Sequence, residues 1–138
     1  MSETEELASV RELSRKYLDD GGLQYLLDKD GHLVLPFGNI MVHVICHQWG
    51  EDQVVVAVTA VTNQNMRIDP DLGMFLAEKN AQILFGKLCL YRDLNQVRFE
   101  HPLLGDFLNR DELVTAVKVV AASALSIGPE IQQRWGGI

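Results

Sequence analysis

The sequence predicts an α+β fold, a largely antiparallel sheet with helices packed on it, in the order α-β-β-β-β-α-β-β-α. Three observations carry this expectation. Runs rich in Val and Ile are joined by turns too short to hold a crossover helix. Helical periodicity occurs near both ends and once between the strands. At 138 residues the chain has the size of one domain and can bury roughly two-thirds of the surface its unfolded form exposes, so residues 1–138 are expected to form a single unit.

From Glu3 to Asp20, Leu7, Val10, Leu13, Tyr17 and Leu18 recur at steps of three and four with charges between them, one face of a helix that Gly21 and Gly22 should end. Residues 23–27 and 32–37 flank Asp28-Lys29-Asp30-Gly31, a polar turn between two apolar runs and so a hairpin. The DxDG fragment lacks the further ligands and the distal Glu of a calcium loop. Residues 39–48 and 53–62 read as two longer strands joined through Trp49-Gly50-Glu51-Asp52. Asp69-Pro70 opens the second helix as N-cap and first helical residue, with Leu72, Phe75, Leu76 and Ile83 on its apolar face. Residues 84–92 and 96–101 form another strand pair. Asn109, with Glu112 three residues on, starts a long helix that Gly128-Pro129 is expected to interrupt, leaving a short tail ending Arg134-Trp135-Gly136-Gly137.

The composition limits the partners. The net charge is -7, and no segment gathers Lys and Arg into a patch for a phosphate backbone, so no nucleic acid is expected. Eight acidic and four basic residues in the first 30 give that segment much of the negative field, which reads first as a solubilising helix face. The start lacks a basic region and an apolar signal core, and Cys46 and Cys89 lie in apolar runs; a reduced, cytoplasmic, bacterial protein is expected. The longest apolar stretch, residues 113–127, is interrupted by Lys118 and is shorter than the ~20 residues of a membrane span. No membrane association is expected.

In the second half, Leu76-x-x-x-Asn80, then Phe85-Gly86-Lys87-Leu88, a strand pair, a long helix and a closing Trp135-Gly136-Gly137 resemble the YbjN-like family, related in fold to the type III secretion chaperones. The resemblance is best over residues 70–137. It implies a helix–sheet–helix fold that dimerises and, in the secretion chaperones, holds an extended client against apolar surface. It brings no catalytic residues. Asn80 matches the motif, with the expected role of hydrogen-bonding exposed backbone near the end of its helix.

Alternation along the strands separates two faces. Ile40, Val42, Val44, Cys46, Val54, Val56, Val58, Ala60, Leu88 and Leu90 form the purely apolar sets that should face the helices. The opposite sets mix Ile45, Val55, Ala57, Val61, Phe85, Cys89 and Tyr91 with His43, His47, Thr59 and Lys87, a surface richer in apolar area than an isolated monomer needs. Those seven residues are the candidate protein-binding site, for a polypeptide client or a second copy in a homodimer. Covering five such side chains, at ~1.5–3 kcal/mol each, would return roughly 8–15 kcal/mol, comparable with the cost of association.

The sequence presents no complete catalytic or metal signature. His43 and His47 lie ~13 Å apart along a straight strand and Cys46 points to the other face, so they do not suit one metal ion. No nucleophile elbow, complete P-loop or dinucleotide fingerprint occurs, and Asp19-Asp20 and Glu51-Asp52 flank turns that account for them. The expectation is a non-catalytic chaperone or adaptor without cofactor or metal. The alternative is a regulatory module binding a small ligand between the sheet and the C-terminal helix.

Overall fold

Residues 4–138 are described in a computed structural model, and the Glu3 start expected for the first helix lies outside them. Thr4 is the N-cap of α1 (Glu5–Asp20), its hydroxyl accepting from the Leu7 N–H. The helix closes as expected at the two glycines. Gly22 takes φ +73°, and Leu23 and Gly22 donate to the carbonyls of Leu18 and Asp19, a Schellman arrangement. Val10, Ser14 and Leu18 are its buried stripe.

The strands are β1 (Leu26–Leu27), β2 (Leu33–Phe37), β3 (Ile40–Trp49) and β4 (Gln53–Gln64), followed by α2 (Pro70–Gln82), β5 (Lys87–Tyr91), β6 (Gln96–Leu104) and α3 (Arg110–Trp135). They form one six-stranded sheet, ordered β1-β2-β3-β4-β6-β5, with antiparallel pairing throughout. The expected order of elements is therefore the observed one. Register follows the hydrophobic pattern: Val44 lies opposite Val58, Cys46 opposite Val56, and Ala60 opposite Phe99. A bulge between Val61 and Asn63 breaks the alternation, so that Thr62 and Asn63 are both buried.

All three helices lie on one side of the sheet. The sets predicted to meet them form the core, with Val42, Val56, Val58, Ala60, Val97 and Phe99 fully buried against Leu113, Ala116, Val117, Val120 and Ala124 of α3. α3 is long and apolar enough, by length and composition, to cross a membrane; here its apolar side is the helical half of the core.

Gly128-Pro129 does not interrupt α3, contrary to the sequence expectation. Proline removes the N–H that would bond the carbonyl of Leu125 and crowds it, at a cost of ~3 kcal/mol. Three gains on the far side offset that cost. Ile131 and Trp135 are buried, the Trp135 indole N–H donates to Asp69 Oδ1 at 2.9 Å, and Asn63 Nδ2 donates to the Gly128 carbonyl at 2.9 Å. Gly128 lets the helix lie close to β4: a Cβ there would lie 3.2 Å from the Thr62 carbonyl oxygen, close enough that one of the two would have to give by a few tenths of an ångström. The last residues are tied down as well, Ile138 and Gln64 exchanging two backbone hydrogen bonds.

Other boundaries moved. β5 begins at Lys87 and not at residue 84, because Gly86 adopts φ +89° with its backbone against the Phe99 ring. β6 runs on through Pro102 to Leu104, and proline is tolerated because β5 has already ended at the Lys87–Glu100 pair, leaving β6 an edge there. β1 is only two residues long, and residues 23–25 precede it as irregular chain.

Candidate functional site: the helix-free face of the sheet

Among the described residues, no helix or strand covers the side of the sheet opposite the helices. Across it, register places His43 beside Thr59, Ile45 beside Ala57 and His47 beside Val55; β4 in turn sets Val61 beside Arg98 and Thr59 beside Glu100, and β5 adds Cys89 and Tyr91. Six of the seven expected residues, Ile45, Val55, Ala57, Val61, Cys89 and Tyr91, thus share this face, each half-buried by its neighbours.

Phe85 does not join them. It precedes β5 and stacks on His101, ring centroids 3.7 Å apart, toward the first turns of α3. There Phe85, His101 and Leu103 with Asp111, Glu112 and Thr115 line a hollow of about 480 Å³. Phe85 lies before β5, where strand parity no longer applies, and the left-handed Gly86 turns it to the helix side.

The face also holds exposed residues outside the seven candidates: Met41, which alternation along β3 sets beside His43 and Ile45, and three that the strand-by-strand reading passed over. Leu26, Met41, Trp49 and Leu104 are 63, 49, 58 and 45% exposed. Their register assigns them to this side, Leu26 through Val34 and His43, and Leu104 through Val55. Period two along Gln96, Arg98, Glu100, Pro102 and Leu104 was the available signal. The face therefore has an apolar part on β1 to β4 and a polar part on β5 and β6.

The polar part centres on Glu100. Tyr91 donates its hydroxyl to Oε1 at 2.7 Å and Thr59 to Oε2 at 3.3 Å. Burial alone would raise the Glu100 carboxyl, but the hydrogen bonds from Tyr91, Cys89 and Thr59 outweigh it and hold the group below the usual carboxylate range. Burial first, then the carboxylate, pushes the Cys89 thiol up to about 11 and the Tyr91 phenol up to about 12. Arg98 lies over the Tyr91 ring at 4.3 Å and donates to Gln96. Burial lowers His43, so its imidazole is held toward the neutral form. A depression of about 180 Å³ lies between His43, Ile45, Thr59, Val61, Gln96 and Arg98.

Cys46 is buried on the helix side, away from His43 and His47, as the strand geometry required. In the β1–β2 turn the ligand atoms of Asp28, Asp30 and His32 come within 4.8 Å of one another. Asp28 Oδ1 is already occupied by the N–H groups of Asp30 and His32, both at 2.9 Å, the Asx turn that shapes the hairpin.

Solved structures share this architecture. The chain is similar to a chain of the ExsC–ExsE complex, with TM-score 0.69, 16% identity, and coverage of 91% of this chain and 95% of that one. It is similar to a chain of the complex of the Yersinia pestis type III secretion chaperone SycH with a fragment of YscM2, with TM-score 0.57, 14% identity, and coverage of 85 and 98%. It also resembles YbjN, described as a putative transcription regulator from E. coli, with TM-score 0.58, 17% identity, and coverage of 91 and 93%. No curated protein matches the chain in sequence. Residues 9–138 match the family TY-Chap1, described as "T3SS (YopN, CesT) and YbjN peptide-binding chaperone 1", and the chain belongs to that family.

Proposed function

We propose that this protein is a non-catalytic chaperone or adaptor that holds an extended polypeptide against the helix-free face of its sheet. One observation carries the reading: Ile45, Val55, Ala57 and Val61 lie side by side on a face without helices, continuous with exposed Met41, Trp49 and Leu104. A peptide laid there buries apolar side chains, while Arg98, Lys87 and Glu100 at the polar border offer partners that fix its direction. The family description and the chaperone complexes among its structural likenesses support the same reading. A homodimer in the cytoplasm fits it, and neither Cys46 nor Cys89 is in a disulfide among the described residues.

The test is a pair of adjacent substitutions. Val55→Asp places a carboxylate on the open face; Val56→Asp places it in the core, where Val56 has no exposed surface. Segments captured from cell extract by wild type are synthesised and their binding measured directly. The proposal expects Val55→Asp to fold normally and lose at least tenfold in affinity, and Val56→Asp to unfold. Undiminished peptide binding by folded Val55→Asp would reject the face.

A second reading, a small-ligand module, has one observation in its favour, the hollow between Phe85, His101, Leu103 and α3. A ligand seated there would raise the melting temperature of wild type by mass action and lose that effect in Phe85→Ala.

A further inference from the structure

The strand residues of the open face carry two cations, Lys87 and Arg98, against one carboxylate, Glu100, on a chain whose net charge is -7. That carboxylate is engaged within the face. It accepts from Tyr91 and Thr59, and register sets Lys87 directly across from it. Arg98 is left over: among the described residues no carboxylate lies within ion-pairing distance of its guanidinium.

The guanidinium is nevertheless held in place. Nε and Nη2 both donate to Gln96 Oε1, at 3.0 and 2.8 Å, and the central carbon lies 4.3 Å from the centre of the Tyr91 ring. A guanidinium has five N–H donors, so three remain for a partner. A side chain ordered in advance loses less freedom when that partner arrives.

Arg98 borders the depression of about 180 Å³ that it shares with His43, Ile45, Thr59, Val61 and Gln96. Small-molecule pockets run to ~300–1,000 Å³, and this one suits a single side chain. Ile45 and Val61 give it apolar walls. Its other polar groups are engaged or uncharged: the Thr59 hydroxyl donates to Glu100, Gln96 Oε1 accepts from Arg98, and burial holds the His43 imidazole toward the neutral form. The depression therefore pairs apolar walls with one positive charge. A glutamate side chain matches both, its methylenes against Ile45 and Val61 and its carboxylate on the guanidinium, whereas a lysine there would meet like charge.

We propose that Arg98 is a specificity-determining residue of the open face, and that the depression beside it receives a glutamate side chain of the extended client. The inference rests on the reading of this face as a polypeptide-binding surface and adds the chemistry of one client position. Because alternate side chains of an extended segment point the same way, the neighbouring anchors are apolar residues at every second position.

The experiment is affinity selection from a library of random nonapeptides, acetylated and amidated at their ends, by wild type, Arg98→Gln and Val55→Asp, each checked for folding by circular dichroism. Wild type should enrich glutamate at one position with apolar residues at alternate positions around it. Arg98→Gln should keep the apolar enrichment and lose the glutamate, and Val55→Asp should lose both. Replacing the glutamate of a selected peptide by glutamine should weaken its binding to wild type roughly tenfold and leave its binding to Arg98→Gln unchanged. A second readout uses wild type alone and serves if Arg98→Gln does not fold. A carboxylate seated beside Arg98 also lies next to His43, whose charged neighbours in the free protein are Asp28, His32 and Arg98. The His43 pKa, followed by NMR, should therefore be higher with the glutamate peptide bound than with its glutamine counterpart. Apolar enrichment without glutamate, glutamate enrichment that survives Arg98→Gln, or a His43 pKa that does not differ between the two peptides would overturn this assignment and leave the open-face reading standing. No enrichment by wild type would overturn both.

Discussion

At the scale of single residues, the chemistry of the open face is set by Glu100. Its folded-state pKa is depressed, so the stability it confers is fully present above the ordinary carboxylate value and is lost as pH falls through the lowered one. Asp69 acts with the same sign, its carboxyl lowered foremost by the Leu72 N–H and further by Trp135 and Arg67. Denaturant titrations of wild type below pH 5 should therefore show a loss of stability that is smaller in Glu100→Gln, which has no charge to lose. Burial, together with the same carboxylate, holds the Cys89 thiol protonated, at about 11. Iodoacetamide should modify Cys89 far more slowly than an unhindered thiol at pH 8, and Glu100→Gln should shift the pH profile of its alkylation downward. An unshifted profile would mean that the carboxylate does not govern the thiol. Strand periodicity placed Cys89 on this face, whereas no local pattern identified Glu100 as its neighbour, because that contact depends on the β5–β6 register and not on spacing along the chain.

At the scale of elements, the sequence was most legible where a local rule and the core agreed. Thr4, Asp69 and Asn109 cap the three helices, the last two as expected, and the alternating sets of β3 and β4 face the sides their periodicity indicates. It was least legible where long-range packing overrode a local rule, as at Gly128-Pro129. That dipeptide reads as a helix stop, yet Asn63, sixty-five residues earlier, bonds the Gly128 carbonyl, and the glycine lets α3 approach β4. Gly128→Val should lower stability by ~1–3 kcal/mol, because the added carbons crowd the Thr62 carbonyl of β4 and valine has a poor helical preference. Chemical denaturation with an unchanged m-value is the measurement. A neutral or stabilising result would show that the helix and strand separate at little cost. The same override misplaced Phe85, whose direction depends on the left-handed Gly86 and on a ring partner sixteen residues later.

At the scale of the whole molecule, one tryptophan lies on each side of the sheet. Trp49, 58% exposed, stands at the end of β3 on the open face, and Trp135, 3% exposed, closes the helical side against Phe75 and Asp69. Fluorescence can therefore report occupancy of one side alone. In Trp135→Phe the remaining emission comes from Trp49; this variant should lose ~1–2 kcal/mol with its indole hydrogen bond yet stay folded. A polypeptide covering the apolar part of the open face should remove water from Trp49 and shift its emission to shorter wavelength. The shift should saturate with the same affinity that direct binding gives and vanish in Val55→Asp, two strand positions from the Trp49–Gln53 pair. Self-association through the same face would give the shift without peptide, in proportion to protein concentration, and added client would then compete with it. Binding with no change at Trp49, while the Phe85 hollow becomes protected, would move the client to the helical side of the sheet.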